Sequence, residues 1–535
     1  MPEGPTTEAF DYVVVGAGSA GAALAHRLSA DSTTSVLLLE AGAKDRKQEI
    51  HIPAAFAKLF RSSYDWNYDT VPQPELGGRT IYWPRGKMLG GSSSLNAMMW
   101  VSGFAADYDR WATAAGPTWS WSALRPYFRQ VQRLAAGRST AASTGAVHVE
   151  EQRSPRAATA SFLDAVRQTG LPVEEANTSR PVGFTRTMVS QHRGARFSAA
   201  DAYLKPVRHR RNLVVRTGAQ VHRVLFDGRR AVGVAVAAGG GVRHITARRE
   251  VVLCGGAVNT PQLLMLSGIG DPAHLAQHGI ELVAASPEVG AHLTDHLIAG
   301  LVTQARSDTL FDAERPAELA RYLLRRRGML TSNVAEAYGF VRTRPELPLA
   351  DVEILFAPVA YTGEGLVKPP GHGLTIGAIL LQPKSSGTIT LASNDPAAKP
   401  LIDPRYLTDP GGQDRATLMA GLRICEEILR APALAALGTG RFLAPAGGES
   451  MSEHDRDAAS ITGYAHTLYH PVGTARMGSD ERSVVDEELR VRGVDGLRVA
   501  DASVMPNIIR GHTNAPSMVI GEKAADLIAA AAAGR

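Results

Sequence analysis

Gly16, Gly18 and Gly21 stand in the pattern G-x-G-x-x-G, with Ser19 and Ala20 between the last two, directly after the apolar run Asp11–Val15. Glycines at this spacing let the chain turn tightly and let its backbone approach a pyrophosphate, which can then sit on the N-terminus of the helix that follows. Glu40 closes the next apolar run, 35–40, 19 residues after Gly21. A carboxylate there can accept hydrogen bonds from a ribose 2′-hydroxyl and disfavours a 2′-phosphate. The glycines alone would serve equally well as a structural turn. Strand, glycines, helix, strand and terminal acid in one succession point to a bound dinucleotide and leave FAD and NAD both open.

A second chemical feature is Tyr469-His470-Pro471. The proline drives His470 out of the α conformation and stiffens its placement. A neutral imidazole, with an ordinary pKa of about 6.5, can take a hydroxyl proton near neutral pH. His466 stands four residues earlier. That spacing can hold a metal on a helix, but there is no H-E-x-x-H, no clear third ligand, and a proline after the second histidine. No metal is expected.

The elements that must carry these residues follow from hydrophobic patterning. Asp11–Val15, a helix from about Ser19 to Leu28, and 35–40 form a βαβ unit whose continuously apolar strands imply a parallel sheet covered on both faces. Runs at 213–216, 221–226 and 233–238, and strand, glycine turn and helix over 251–270, read as returns to that layer. From about 300 to 460 the pattern changes to a helix at 314–327 and strand-like pieces at 337–343, 351–356, 374–381 and 387–391. This predicts an antiparallel sheet with flanking helices. Strand 497–501 and helix 515–533 return to the first layer. The fold class expected is α/β, a Rossmann-type nucleotide-binding domain (1–155, 195–300 and 463–535) with an inserted substrate domain (156–194 and 301–462). The Ser/Thr/Gly/Ala-rich segment between 135 and 160 reads as a mobile loop or boundary.

Composition excludes several classes. The 535 residues are 44% hydrophobic and 20% charged, ordinary globular values that exclude wholesale disorder. Lys+Arg 57 against Asp+Glu 52 leaves +5. The arginine clusters at 208–211 and 325–327 read as solvated helix faces, because no aromatic-rich basic stripe accompanies them, so a nucleic-acid partner is not expected. Cys254 and Cys425 are far apart in apolar segments, which rules out a disulfide framework and fits a reducing compartment. The N-terminus shows no secretory pattern and no apolar run reaches bilayer length, so a cytoplasmic location is expected.

Four longer segments carry a resemblance. WPRGKMLGGSSSLNAMMWVSG at 83–103, GGAVNTPQLLMLSGIG at 255–270, YHPVGTARMG at 469–478 and GLRVADASVMPNIIRGHTNAPSMVIGEKAADLI at 496–528 resemble the glucose–methanol–choline (GMC) family of flavin oxidoreductases. The resemblance runs from about residue 10 to 530 in family order. It implies FAD as cofactor, a two-domain fold, and oxidation of a small-molecule alcohol by hydride transfer to the flavin. Gly90 and Gly91, followed by three serines, would expose backbone N–H groups to a phosphate or flavin edge. Asn96, Ala97 and Met98 match residues that lie against the isoalloxazine. Leu95 stands where some members carry a histidine bonded to the flavin, so the FAD is expected to be non-covalent.

The resemblance also assigns roles. His470 matches the catalytic base. Asn514 matches its polar partner, His in some members and Asn in others, and Asn514-Ala515-Pro516 opens the last helix toward the flavin. Asn514 reads equally well as that helix's N-cap. Asp501 matches a contact to ribityl hydroxyls, or caps the turn that follows it, and Val221 matches a position whose backbone meets the adenine. Glu336 resembles the carboxylate that holds trimethylammonium in choline oxidases, although it reads also as a structural strand residue, with Tyr338 and Phe340 on its face. The activity expected is oxidation of a neutral primary alcohol to the aldehyde, with electrons passing to oxygen, a quinone or another carrier. Choline-type oxidation, a hydroxynitrile-lyase-type reaction and a non-catalytic flavin-binding protein are the alternatives. Two stretches depart from the family pattern. ASTGAVHVEE at 142–151 replaces an H-G-x-x-G-P-type stretch near a lid, and GAHLTDH at 290–296 replaces G-x-N-L-x-D-H.

Overall fold

Strand Glu8–Val15 lies between Val36–Glu40 and Gly241–Leu253, parallel to both, inside a seven-stranded sheet. Leu213–Thr217 extends the parallel part, and Leu497–Val499 pairs parallel with Gly241–Leu253. Arg230–Ala238 and Val221–Asp227 complete the sheet as an antiparallel meander. Every residue of Val36–Glu40 is buried, as a strand covered on both faces requires. The computed structural model describes residues 8–134, 144–178, 181–238 and 240–534.

Helices Ser19–Leu28 and Asn514–Ala533 pack together beside this sheet through small residues. A Cβ on Gly521 would lie 2.3 Å from the Ala20 carbonyl oxygen, so glycine is what lets the two axes approach. That contact brings the last helix of the chain onto the first glycine motif.

The second sheet is antiparallel and also seven-stranded. Its order is Gly438–Ala444, Leu297–Ala305, Gly373–Leu380, Val352–Ala357, Ala337–Val341 and Gly183–Arg186, with His466–Thr467 paired beside Leu297–Ala305. Helix Gln413–Arg430 covers one face, burying Leu418, Leu422, Cys425 and Ile428. Gly421 makes this possible, since a Cβ there would meet that of Ala378 at 2.7 Å. The protein is therefore a Rossmann-type domain joined to a domain built on an antiparallel sheet with flanking helices.

Three local expectations are corrected. Residues 388–390 do not join the large sheet but form a two-stranded ribbon with Leu401–Asp403. Helix 314–327 shortens to Pro316–Arg325, because Pro316 starts it and Arg326 leaves it in a left-handed conformation. Within 135–160, Val147–Glu151 is a strand and Ala157 begins a helix, while 135–143 lie outside the described residues. Cys254 and Cys425 are buried free thiols. No helix among the described residues is long and apolar enough to cross a membrane.

Candidate active site

A cavity of about 360 Å³ runs between the two sheets. At one end two glycine loops meet. Gly16 holds φ +104°, and a Cβ on it would lie 2.4 Å from the Cys254 carbonyl oxygen. A Cβ on Gly91 would lie 2.7 Å from the Cα of Gly18, so bare backbone faces bare backbone there. Gly90 donates its N–H to the Ala17 carbonyl at 2.8 Å and locks the loops together. Gly16, Gly18, Ser19, Ala20 and Gly91 line the cavity, whereas Gly21 and Gly90 shape the turns behind it. Glu40 also lines it, with Oε2 accepting from Ala17 N–H (3.0 Å) and Oε1 from Gly42 N–H (2.8 Å). Burial pushes its carboxyl up to about 7. Val221 lines the cavity beyond Glu40. An open cradle of glycine backbone, a helix N-terminus and an acid at the strand end fit the adenosine and pyrophosphate of a dinucleotide.

At the other end Asn96, Ala97 and Met98 line the cavity. The Asn96 side-chain oxygen accepts from Arg196 Nη1 (2.9 Å) and Met98 N–H (3.0 Å), and Met98 takes φ +55°. Arg196 is buried and also donates to the carbonyls of Ile50 and Ser93. Burial lowers its pKa to about 9. Asp501 accepts from Gly256 N–H, Thr260 Oγ1–H and Ser503 N–H, so it caps its own turn and ties down helix Gly256–Leu266 while lining the cavity.

The histidines sit on this second half. The main-chain N–H of His470 donates to Asp295 Oδ1 at 2.8 Å, and Asp295 Oδ2 accepts from Thr467 Oγ1–H (2.6 Å) and Tyr406 O–H (2.5 Å). Arg85 donates to the carbonyl of Tyr469, which is held at φ +70°. A bulky residue at positive φ beside a reactive group is backbone strain held by its surroundings. The His470 ring lies against two others, His512 at 4.7 Å and His296 at 5.2 Å between centroids. Desolvation, then the nearby His512, His296 and Arg85, hold His470 well below the usual imidazole range, so it is neutral. His512 Nε2 is 3.1 Å from Glu353 Oε1, a fully buried carboxylate.

Family models described as GMC oxidoreductase match residues 10–298 and 383–521. This chain belongs to the GMC oxidoreductase family. It is an FAD-dependent oxidoreductase of CH–OH groups. It is similar to an uncharacterized GMC-type oxidoreductase of Mycobacterium tuberculosis, 59% identical over 97% of this chain and 99% of the relative. It is also similar to an alcohol dehydrogenase [acceptor] of Pseudomonas putida, 41% identical over 97% and 95%. The solved structure of a pyridoxine 4-oxidase of Mesorbium loti is 31% identical, with a TM-score of 0.87 over 97% of this chain and 98% of that one.

Within this GMC fold, Asn514 stays on the cavity wall, whereas Ala515, Pro516 and Glu336 lie off it. Asn514 lines the cavity, but its Oδ1 accepts from Ser19 Oγ–H at 2.7 Å, in the first glycine motif. It is the first residue of the last helix rather than its cap, a position held by Thr513 with no side-chain capping bond. The chain turns as it enters that helix, so Asn514 faces the glycine loop while His512, two residues earlier, reaches His470. Ala515 and Pro516 are buried in the helix and do not line the cavity.

Glu336 is fully buried away from the cavity. Its carboxylate accepts from Thr159 Oγ1–H, Ser332 Oγ–H and Arg156 N–H, and so holds the start of helix Ala157–Gln168. Tyr338 and Phe340 pack on each other in an apolar cluster, also off the cavity. His466 lines the cavity, and no metal-binding group of three or more His, Cys, Asp or Glu occurs among the described residues. Sequence reasoning missed His512, Glu353, Asp295, His296 and Arg196. The quoted motif segments contain His512 and the departure GAHLTDH contains the 295–296 pair, but neither carried a sign of which side chain would face His470.

Proposed function

We propose that this GMC oxidoreductase oxidises a neutral primary alcohol to the aldehyde, with His470 as the proton acceptor and His512 as the group that holds the alcohol oxygen. The observation that carries this reading is the pairing of the His470 and His512 rings at 4.7 Å on the wall of the same cavity that the glycine cradle opens into. FAD, held by the two glycine loops, Glu40, Asn96 to Met98 and Asp501, supplies the hydride acceptor when bound. His470 is neutral, so its free nitrogen is available for the hydroxyl proton throughout the neutral range. Glu353 orients His512 through the 3.1 Å contact at Nε2. The apolar side chains of Ile298, Val302, Leu355 and Ala357 on the cavity wall favour an uncharged substituent on the carbinol.

A choline-type substrate is less well supported, because the carboxylate that would hold its cation, Glu336, is saturated by three donors outside the cavity. Another acid on the cavity, Glu364, has its carboxyl pushed up to about 7 by burial, against the nearby charges of Arg79 and Arg61. The test is anaerobic addition of aliphatic and benzylic primary alcohols and of choline to the FAD-loaded protein, followed by reoxidation with oxygen or with an artificial quinone. Bleaching by the neutral alcohols supports the reading. Retention of the oxidised spectrum with every alcohol would favour a hydroxynitrile-lyase-type or non-catalytic protein. The relative named alcohol dehydrogenase [acceptor] supports a carrier other than oxygen as the electron acceptor.

A further inference from the structure

Base catalysis by His470 requires a bare ring nitrogen turned to the alcohol, and a neutral imidazole has only one. Which nitrogen is bare is decided by what the other one meets. His470 Nδ1 lies 3.0 Å from Nδ1 of His296. Two ring nitrogens at that distance share a single proton, so one ring donates and the other accepts.

His296 settles which. It is fully buried, and its Nε2 lies 3.2 Å from the carbonyl oxygen of Leu381, which can only accept. Desolvation, then the nearby His512, push the pKa of His296 down to about 3, so the ring is neutral and carries one N–H. Two main-chain carbonyls bear on the ring, those of Leu381 and Ile509, and the one in hydrogen-bond geometry is Leu381 at Nε2, so the N–H is assigned there and Nδ1 of His296 keeps its lone pair. The proton between the rings therefore sits on Nδ1 of His470.

We propose that His296 is a positioning residue that fixes the tautomer of His470, accepting its Nδ1–H so that Nε2 is the bare nitrogen. Asp295, the preceding residue, fixes the same histidine through its main-chain N–H. The pair therefore sets both the backbone and the ring of His470 from a segment 174 residues away in the chain. In a Ser-His-Asp arrangement a carboxylate holds the Nδ1–H and stabilises the imidazolium. Here the neighbouring carboxylate, Asp295, has its oxygens occupied by His470 N–H, Thr467 and Tyr406, and a neutral imidazole takes the Nδ1 slot. This inference rests on His470 being the proton acceptor.

The test is the nitrogen spectrum of FAD-loaded protein labelled with ¹⁵N-histidine, the His470 signals being those lost in His470→Gln. The expected result is a protonated Nδ1 and an unprotonated Nε2 in the wild type, retained in His296→Asn, whose amide oxygen can accept, and shifted toward Nε2–H in His296→Phe, which cannot. Flavin reduction by alcohol should fall roughly 10- to 100-fold in His296→Phe, with KM little changed, and recover to within a few-fold in His296→Asn. A wild-type spectrum with the proton on Nε2, or a His470 tautomer unaltered in His296→Phe, overturns the proposal. Should His296→Phe fail to take up FAD, the wild-type spectrum decides alone. The tautomer is read in the resting protein, so a failure of the alcohol-oxidation reading would appear as absent bleaching with the tautomer still as stated.

Discussion

The imidazole of His512 meets that of His470 at 4.7 Å between ring centroids and at 63° between planes, while Asn514, two residues on, is bonded to Ser19 at 2.7 Å. The two halves of the cavity are thereby joined by one short stretch of chain. His512 serves the histidine cluster, and Asn514 serves the glycine loop.

Substitutions at these two positions should separate by readout. His512→Ala should lower the rate of flavin reduction by roughly 10²-fold, the scale of a lost group that holds the reacting oxygen, with FAD content preserved. Asn514→Ala should act mainly on FAD retention, through loss of the bond to Ser19. Stopped-flow reduction and the ratio of flavin to protein absorbance measure both, and a larger rate loss in Asn514→Ala than in His512→Ala would reverse the assignment.

FAD should leave the protein on acid precipitation, colouring the supernatant yellow. Leu95, buried beside the cavity, has no nucleophile to offer a flavin methyl group. A yellow pellet would require another attachment residue.

Glu336→Gln should destabilise the fold by about 1–3 kcal/mol, because the three donors around this buried carboxyl lose one of its two acceptor oxygens. The ratio of kcat/KM for choline to that for a benzylic alcohol should stay within about threefold of wild type, since no substrate contact changes. Urea unfolding and a two-substrate comparison test this together, and a selective loss of choline turnover would return Glu336 to the substrate site.

Three desolvated histidines should each cost the fold stability below neutral pH. His26 and His466 have pKa values lowered to about 4 and His296 to about 3, with desolvation the first cause in each. The unfolded chain takes up protons at these positions near 6.5 while the folded chain does not. The contribution of these histidines is therefore full above about 6.5 and falls as pH drops toward 4, while Glu40, Glu364 and Asp457, whose carboxyls burial pushes up to about 7, contribute with the opposite sign. Denaturant midpoints from pH 8 to 4.5, compared between wild type and His26→Phe, away from the cavity, test the sign: the variant should lose less stability on acidification, and an equal or larger loss would contradict it.

The glycine cradle was legible in the sequence because its physics is local. Gly16, Gly18, Gly21 and Glu40 lie within one βαβ unit, and the motif dictates where each must stand. The second sheet was legible from strand patterning, apart from Thr388–Thr390, whose short length gives no sign of its partner. The histidine cluster was legible only at His470. His296 reaches it from 174 residues away. The choice between His512 and Asn514 depends on the direction in which the chain enters a helix, which spacing does not encode. Glu336 admitted both a substrate and a structural reading for a related reason, since its carboxyl is claimed by Thr159 and the Arg156 N–H, on an element that pairing patterns do not connect to it.

The proposed activity turns on the passage of an alcohol proton to His470 as the alcohol carbon reduces the flavin. Anaerobic stopped-flow reduction with a benzylic primary alcohol tests it, using wild type and His470→Ala matched for FAD content. The expected result is rapid bleaching in the wild type and a rate at least about 10²-fold lower in His470→Ala. A variant within tenfold of wild type, or a wild-type flavin that no primary alcohol bleaches, would contradict it.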